Sequence, residues 1–352
     1  MIGILCFVGI RYAQFIYKYT NILDAEQIDY EVVYWNREGD EVPEKENWIA
    51  YEKRVNTFQP FYKKISHFIG FTNFMKKTIR KRKYDKLIIL TTQTAVPLYF
   101  TLKKYSGRYI YDYRDITYER FSFYKKLVDS IIKHSYFTAI SSKGFLDTLS
   151  PSDKFIISHN TRDFSFTQVP KTSSDKVRVV YWGMVRQPQF NYRICDAFAK
   201  DDRFELYYHG AGYHEEIQLY CKNNNYSNIF ITGAYKLDEI ERFAENTDII
   251  LNMYENDRQQ KPAMTVKFYD SLKYGIPMIV NKGSYMAQIV DKNRLGYVVD
   301  INDNSICEKL YSDFQSFDYK QYSNNLKHIC TAIQNDNDLF KFKLIQFVGN
   351  ED

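Results

Sequence analysis

A chain of 352 residues, 45% hydrophobic and 26% charged, has the length for two domains with separate cores and the composition of an ordinary globular protein, not of a disordered or fibrous one. Its formal net charge of +5 is too mild to imply nucleic acid. The five cysteines, Cys6, Cys195, Cys221, Cys307 and Cys330, are scattered with no Cys-x-x-Cys and no metal-ligand spacing, which argues against a disulfide scaffold and for a reducing, cytoplasmic compartment.

From the amino terminus, the apolar run Ile2 to Ile10 stops at Arg11 and has no basic region before it. It is far shorter than the roughly 20 residues that span a bilayer, so it reads as a buried first strand over 2–8, not a signal peptide. A helix is expected over 11–23 and a strand over 30–35. A long helix follows over 59–84, with Phe61, Ile65, Phe68, Met75 and Ile79 at helical spacing. Strands over 86–91 and 108–113 bracket a helix over 97–104. A helix over 121–134 leads to strands over 136–140 and 154–158. This alternation predicts a parallel sheet.

The polar stretch 161–176, with Pro170 and Ser173-Ser174, has no periodicity and closes this block. It sets a first domain at 1–165, a linker at 166–176, a second domain at 177–325 and a closing helix at 326–352. The second block repeats the alternation: strands over 177–182, 204–208, 228–232 and 248–253, with helices over 192–200, 213–223 and 237–245. The tail from Ser305 is helical.

Lys267-Phe-Tyr-Asp-Ser-Leu-Lys-Tyr-Gly-Ile-Pro277 is the most informative segment. Gly275 suits a left-handed helix C-terminus, Pro277 stops the helix, and a strand follows over 278–280. Lys267 and Asp270 share one helix face near its start. A cation and a carboxylate there suit a sugar nucleotide: Lys and helix amides for the diphosphate, the carboxylate for ribose hydroxyls. The alternative is an i,i+3 ion pair.

The segment resembles the donor-binding element of GT-B glycosyltransferases, especially the retaining family-4 group, which often carries Lys-x-x-Glu-x-x-x-x-Gly-x-Pro. Here the acid is Asp270. The likeness continues through Gly283, Ile289-Val290 and Gly296-Tyr297-Val298-Val299. It implies an α/β GT-B fold: two Rossmann-like parallel-sheet domains facing a cleft, with the last helix crossing back to the first domain.

Further islands follow the same resemblance. Trp182-Gly183-Met184-Val185-Arg186 is similar to the family's Gly-x-x-Arg turn; Gly183 allows close backbone approach, and Arg186 suits a diphosphate, with Arg193 as competitor. His209-Gly210-Ala211-Gly212 resembles its Gly-x-Gly turn. Thr232-Gly233-Ala234-Tyr235 is placed against the nucleotide base, with Tyr235 as a stacking ring or a plain surface aromatic. Tyr254 and the loop to Lys267, through Thr265 and Val266, contact donor sugar or phosphates. Arg186 and Lys267 are the expected catalytic cations. In the first domain the resemblance puts Gly9 and Arg11, Gln93, and Arg114 with Asp115 on the acceptor side. The alternatives are a plain strand-to-helix turn at Gly9 and a helix-capping Asp115 beside a surface Arg114. Ser141-Ser142-Lys143 and the run from Ser158 to Asp163, with Asn160, look like structural turns.

His209, His214, Glu215 and Glu216 fit no His-Glu-x-x-His spacing, and the resembled family generally needs no metal, so neither metal nor cofactor is expected. The donor, a UDP- or GDP-sugar, is a substrate. Two departures stand out: Pro262 occupies the place of a common Glu, and Thr91-Thr92-Gln93-Thr94 lacks the common His. Lys76, Lys77, Arg80, Lys81, Arg82 and Lys83, interleaved with Phe74, Met75 and Ile79, suit an anionic membrane surface. A solvated helix face is the alternative, and nothing else resembles a reader of bases. The resemblance implies a glycosyltransferase acting on a saccharide, lipid-linked acceptor of a bacterial capsule or exopolysaccharide, peripheral on the inner face of the cell membrane. The rivals are a non-catalytic GT-B-like partner and a nucleotide-sugar epimerase.

Overall fold

The computed structural model describes residues 1–55, 61–161, 166–167, 169–170 and 172–349. The chain divides into two units, Met1–Arg162 with Asn335–Asp352, and Asp163–Gln334. Each is built on one parallel sheet.

The first sheet has the strands β1 (Ile2–Cys6), β2 (Tyr30–Asn36), β3 (Trp48–Glu52), β4 (Lys86–Leu90), β5 (Tyr109–Tyr113), β6 (Thr138–Ile140) and β7 (Phe155–Ile157). Their order is β3-β2-β1-β4-β5-β6-β7. The strands are apolar on both faces, as a doubly covered parallel sheet requires. Leu5, Val33 and Ile89 face one core, with α2 (Phe61–Arg82), α3 (Thr92–Ala95), α4 (Tyr99–Lys104) and α5 (Ser122–His134) among the elements around it. Ile4, Val32 and Ile88 face the other, which takes Ile16, Tyr19 and Leu23 from α1 (Ile16–Ala25).

The second sheet orders β8 (Val177–Trp182), β9 (Phe204–His209), β10 (Ile229–Gly233), β11 (Ile249–Leu251), β12 (Met278–Asn281) and β13 (Gly296–Val299) as β10-β9-β8-β11-β12-β13. One face is covered by α6 (Pro188–Phe198), α7 (His214–Asn223) and α11 (Ile306–Gln315). The other is covered by α8 (Ile240–Glu245), α9 (Val266–Tyr274) and α10 (Tyr285–Lys292). The last helix, α12 (Tyr319–Gly349), supplies Tyr322, Leu326 and Ile333 to this core. Its later residues Phe340, Leu344 and Phe347 lie in a core of the first unit.

Several elements differ from the sequence expectation. The β3 strand departs from the expectation: five residues between charged flanks at a sheet edge give little periodic signal, and it is the pairing with β2, from Val32 with Trp48 to Asn36 with Glu52, that reveals it. The helix expected over 11–23 is a 3₁₀ turn, Ile10–Tyr12, followed by α1. Helix α6 begins at Pro188, ahead of the expected 192, because proline's missing N–H costs nothing in a first turn. Arg162, Asp163 and the side chain of Phe61 lie outside the described residues.

Candidate functional site

In each sheet the strand order reverses once, between β1 and β4 and between β8 and β11. Ligands of open parallel sheets bind outside the carboxyl ends at that point.

In the second unit the loops after β8, β9 and β10 are bound to one another through backbone. Gly183 donates its N–H to the His209 carbonyl at 2.9 Å, and Gly210 donates to the Gly233 carbonyl at 2.6 Å. A Cβ on Gly210 would sit 1.7 Å from the Gly183 oxygen, so no other residue fits. At Gly183 the constraint is the backbone, with φ 126°, and not space: a Cβ there would meet only Lys267 Nζ, at 3.2 Å. Gly212 and Gly233 also take positive φ.

Lys267 is buried in the first turn of α9. Its Nζ lies 4.0 Å from the centre of the Tyr181 ring and 5.4 Å from that of Tyr254. Among the described residues it has no carboxylate partner. The expected alternative, an ion pair with Asp270, is not made. Burying an unpaired ammonium is costly, and two ring faces offset it only in part. Asp270, one turn on, accepts a hydrogen bond from Trp182 Nε1 at 2.8 Å. Burial raises its pKa, opposed by that bond and by the Lys267 charge. Arg186 is exposed and makes no ion pair or side-chain hydrogen bond among the described residues. Its charge is felt by Tyr254, whose pKa burial pushes up to about 12. Arg193, by contrast, donates to Asn302 Oδ1 from the exposed face of α6.

His209 Nδ1 lies 2.7 Å from Thr232 Oγ1, and its ring stacks on Phe243 at 3.8 Å. Burial pushes its pKa down to about 4, so the imidazole is neutral near pH 7. Tyr235 meets Phe243 edge to face at 5.3 Å. Thr265 precedes α9 but does not cap it with its side chain. Its hydroxyl instead donates to buried Asn252 Oδ1 at 2.9 Å. Val266 is exposed at the helix start.

Gln187 was not anticipated. It holds a left-handed conformation, φ 53°. Its Nε2 donates to Asp257 Oδ2 at 2.9 Å and its Oε1 accepts from the Glu255 N–H at 3.0 Å. It thereby fixes the loop after β11 beside Arg186, across a sequence distance that no local pattern signals.

In the first unit the residues expected on the acceptor side are scattered in kind. The amides of Ile10 and Arg11, next to Gly9, both donate to the Glu41 carboxylate at 3.0 Å. Arg11 pairs with Glu38 and Asp40, each at 2.9 Å. Arg114 is buried and forks onto Asp112 at 2.6 and 2.8 Å, with Ser158 taking two more of its bonds. These bonds brace β5 against the turn after β7. Asp115 is exposed, and the N-cap of α5 is Phe121. Gln93 lines a pocket with Phe7, Trp35 and Phe68.

The basic run lies at the end of α2, just before the amino end of β4. Lys77, Arg80, Lys81, Arg82 and Lys83 are exposed, and Lys76 is half-buried. Phe71, Met75 and Ile79 are spent on the core, so the basic end of the helix offers charge without exposed apolar side chains; the exposed Ile65 and Ile69 lie nearer its start. Among the described residues no helix is long and apolar enough to cross a membrane, and no cluster of three or more His, Cys, Asp or Glu side chains is placed to hold a metal.

No family model matches the chain, and no curated protein matches it in sequence. Solved structures do match. Sucrose-phosphate synthase from Thermosynechococcus elongatus has a TM-score of 0.76 at 10% identity, over 98% of each chain. A glycosyltransferase from Rickettsia africae has a TM-score of 0.70 at 13% identity, over 99% of each. HepE from Anabaena, in complex with UDP and glucose, has a TM-score of 0.66 at 11% identity, over 97% of this chain and 98% of that one. The shared architecture is the GT-B fold of glycosyltransferases.

Proposed function

We propose that this chain is a glycosyltransferase that moves a sugar from a nucleotide-sugar donor, a UDP- or GDP-sugar, to a saccharide acceptor. The observation that carries this reading is Lys267: an ammonium buried without a carboxylate, open to the glycine turn at Gly183, one turn from a carboxylate that Trp182 holds in place. That arrangement suits a diphosphate against Lys267 and Arg186, with ribose hydroxyls on Asp270. The glycines Gly183, Gly210, Gly212 and Gly233 let the backbone approach the donor, and Tyr235, Tyr254 and the start of α9 at Thr265 and Val266 border it. That HepE is solved with UDP and glucose supports the same donor class.

The chemistry is departure of the nucleoside diphosphate with retention at the anomeric carbon. Negative charge grows on the diphosphate as the glycosidic bond breaks, and fixed cations stabilise that state more than the ground state. His209, neutral and bound to Thr232, serves as a neighbour of the donor turn rather than as a cation. Gln93 faces the acceptor. The wider setting we propose is a lipid-linked acceptor of a bacterial capsule or exopolysaccharide at the inner membrane face.

A second reading is a non-catalytic partner of the same fold. It is favoured by Glu41, which occupies the amides after β1. Incubating the purified chain with UDP- and GDP-sugars, alone and with saccharide acceptors, separates the two. Transfer or donor hydrolysis supports the enzyme. No turnover with any donor that binds supports the partner.

A further inference from the structure

The first unit contains a pocket of about 650 Å³. It lies outside the carboxyl ends of β1, β2 and β4, where the strand order reverses. Its walls are apolar, including Phe7, Trp35, Phe68, Val96 and Tyr124. A bare sugar there would leave most hydroxyls unpaired, at a cost for each. An apolar body of ligand size fills such a wall well.

Arg37 is the one charged side chain among the described residues that line the pocket. Its guanidinium lies 4.2 Å from the centre of the Phe7 ring and 4.7 Å from that of Trp35. One Nη donates to the Phe7 carbonyl at 3.1 Å. The Nε–H has no hydrogen-bond partner among the described residues. Burial lowers the pKa of this group, and no carboxylate acts against that burial. A guanidinium held against two rings that meet each other edge to face, with an unmet donor and no ion pair among the described residues, is complementary to a phosphate or carboxylate. Thr92 is already engaged with Tyr111, at 2.7 Å between hydroxyls, and the Tyr124 hydroxyl accepts from Thr117 at 3.0 Å, which leaves Gln93 and the Tyr118 hydroxyl as neutral polar groups of the wall.

We propose that this pocket holds the non-sugar part of the acceptor: a hydrocarbon or aromatic body carrying a phosphate or carboxylate, with the anion on Arg37. The inference rests on the glycosyltransferase reading for the word acceptor, but the pocket's ligand chemistry stands on the first unit alone.

Calorimetric titration of the full chain tests it with farnesyl phosphate, phenyl phosphate, farnesol and inorganic phosphate, and separately with UDP and GDP. At least one of the two organic phosphates should bind, and which one binds tighter distinguishes a lipid from an aromatic source. Farnesol and inorganic phosphate should bind at least tenfold more weakly. Arg37→Gln should bring the organic phosphate down to the level of its uncharged counterpart. Val96→Trp, which fills the pocket from its wall, should abolish binding. Both variants should bind the nucleotide, UDP or GDP, as wild type does, which also reports that they are folded. Failure of both organic phosphates to bind, or equal binding by both variants and wild type, overturns the proposal. Failure of wild type to bind either UDP or GDP while an organic phosphate binds overturns the donor reading and leaves the pocket standing.

Discussion

Trp182 and Asp270 are joined by a 2.8 Å hydrogen bond from indole nitrogen to carboxylate oxygen, across 88 residues of sequence. One residue ends the central strand β8, and the other sits in the first turns of α9. The bond fixes the carboxylate's rotamer and leaves its second oxygen for a ligand. It also explains how a largely buried acid is tolerated beside an ammonium that does not pair with it.

Asp270→Asn should therefore separate stability from binding. The Asp270 pKa is raised in the folded state, chiefly by burial. A carboxyl whose folded pKa is raised costs stability as pH climbs through its unfolded value near 4 and beyond. The amide keeps an oxygen for Trp182 and removes the buried charge. The thermal midpoint at pH 7 should be unchanged or higher. Affinity for the nucleotide sugar should fall by about 1–3 kcal/mol, the usual loss for a charge-assisted bond. Melting curves and calorimetry check the two halves, and a destabilised variant with unaltered donor affinity would reduce Asp270 to a structural role.

Lys267→Met and Arg186→Ala should lower kcat more than they weaken donor binding. Removing a preorganised group that meets transition-state charge costs on the order of 10²–10³ in rate. Lys267→Met should also preserve the fold, because the replaced ammonium is buried against Tyr181 and Tyr254 without a partner charge. Steady-state kinetics decide it: a change confined to KM removes both residues from the leaving-group role.

The local parts of this site were legible in the sequence because their spacing and their chemistry coincide. Lys267 and Asp270 stand one turn apart in a helix whose end is announced by Gly275, which does take the left-handed conformation at φ 61°. The paired alternation of strands and helices likewise gave two parallel sheets. What could not be read were partnerships between distant segments. Nothing near Arg11 says that Glu38 and Asp40 neutralise it, or that Arg114 is buried against Asp112. Arg37 carried no motif at all, and its meaning appears only when β1 and β4 bring Phe7 and Gln93 beside it. The basic helix shows the limit of periodicity: its apolar residues have the period of an amphipathic helix, and period alone does not say whether a core or a membrane covers them.

His209 should not titrate in the working range. Its folded pKa is lowered to about 4, so the neutral form persists through pH 5–8. The unfolded chain binds a proton near 6.5, and stability should fall as pH drops from there toward 4. His209→Gln should therefore leave the shape of the kcat profile between pH 5 and 8 intact and flatten part of the acid-side decline in thermal midpoint. A lost kcat inflection near pH 6.5 in the variant would show a protonated working form instead.

The basic end of α2 should draw the protein to anionic bilayers by charge alone. Each Lys or Arg near such a surface contributes roughly 1 kcal/mol, and salt screens the attraction. Because Phe71, Met75 and Ile79 are committed to the core, no apolar insertion backs it up, so binding should vanish at high salt rather than level off. Arg82 already pairs with Glu31 at 3.1 Å and should contribute least. Liposome co-sedimentation across salt, with neutral vesicles as the control, measures this. Replacing Arg80, Lys81, Arg82 and Lys83 with Gln should remove the protein from anionic vesicles and spare activity on a soluble acceptor. Sedimentation of that variant like wild type would make the run a solvated face, and would leave the pocket beside Arg37 as the remaining support for an acceptor with an apolar group.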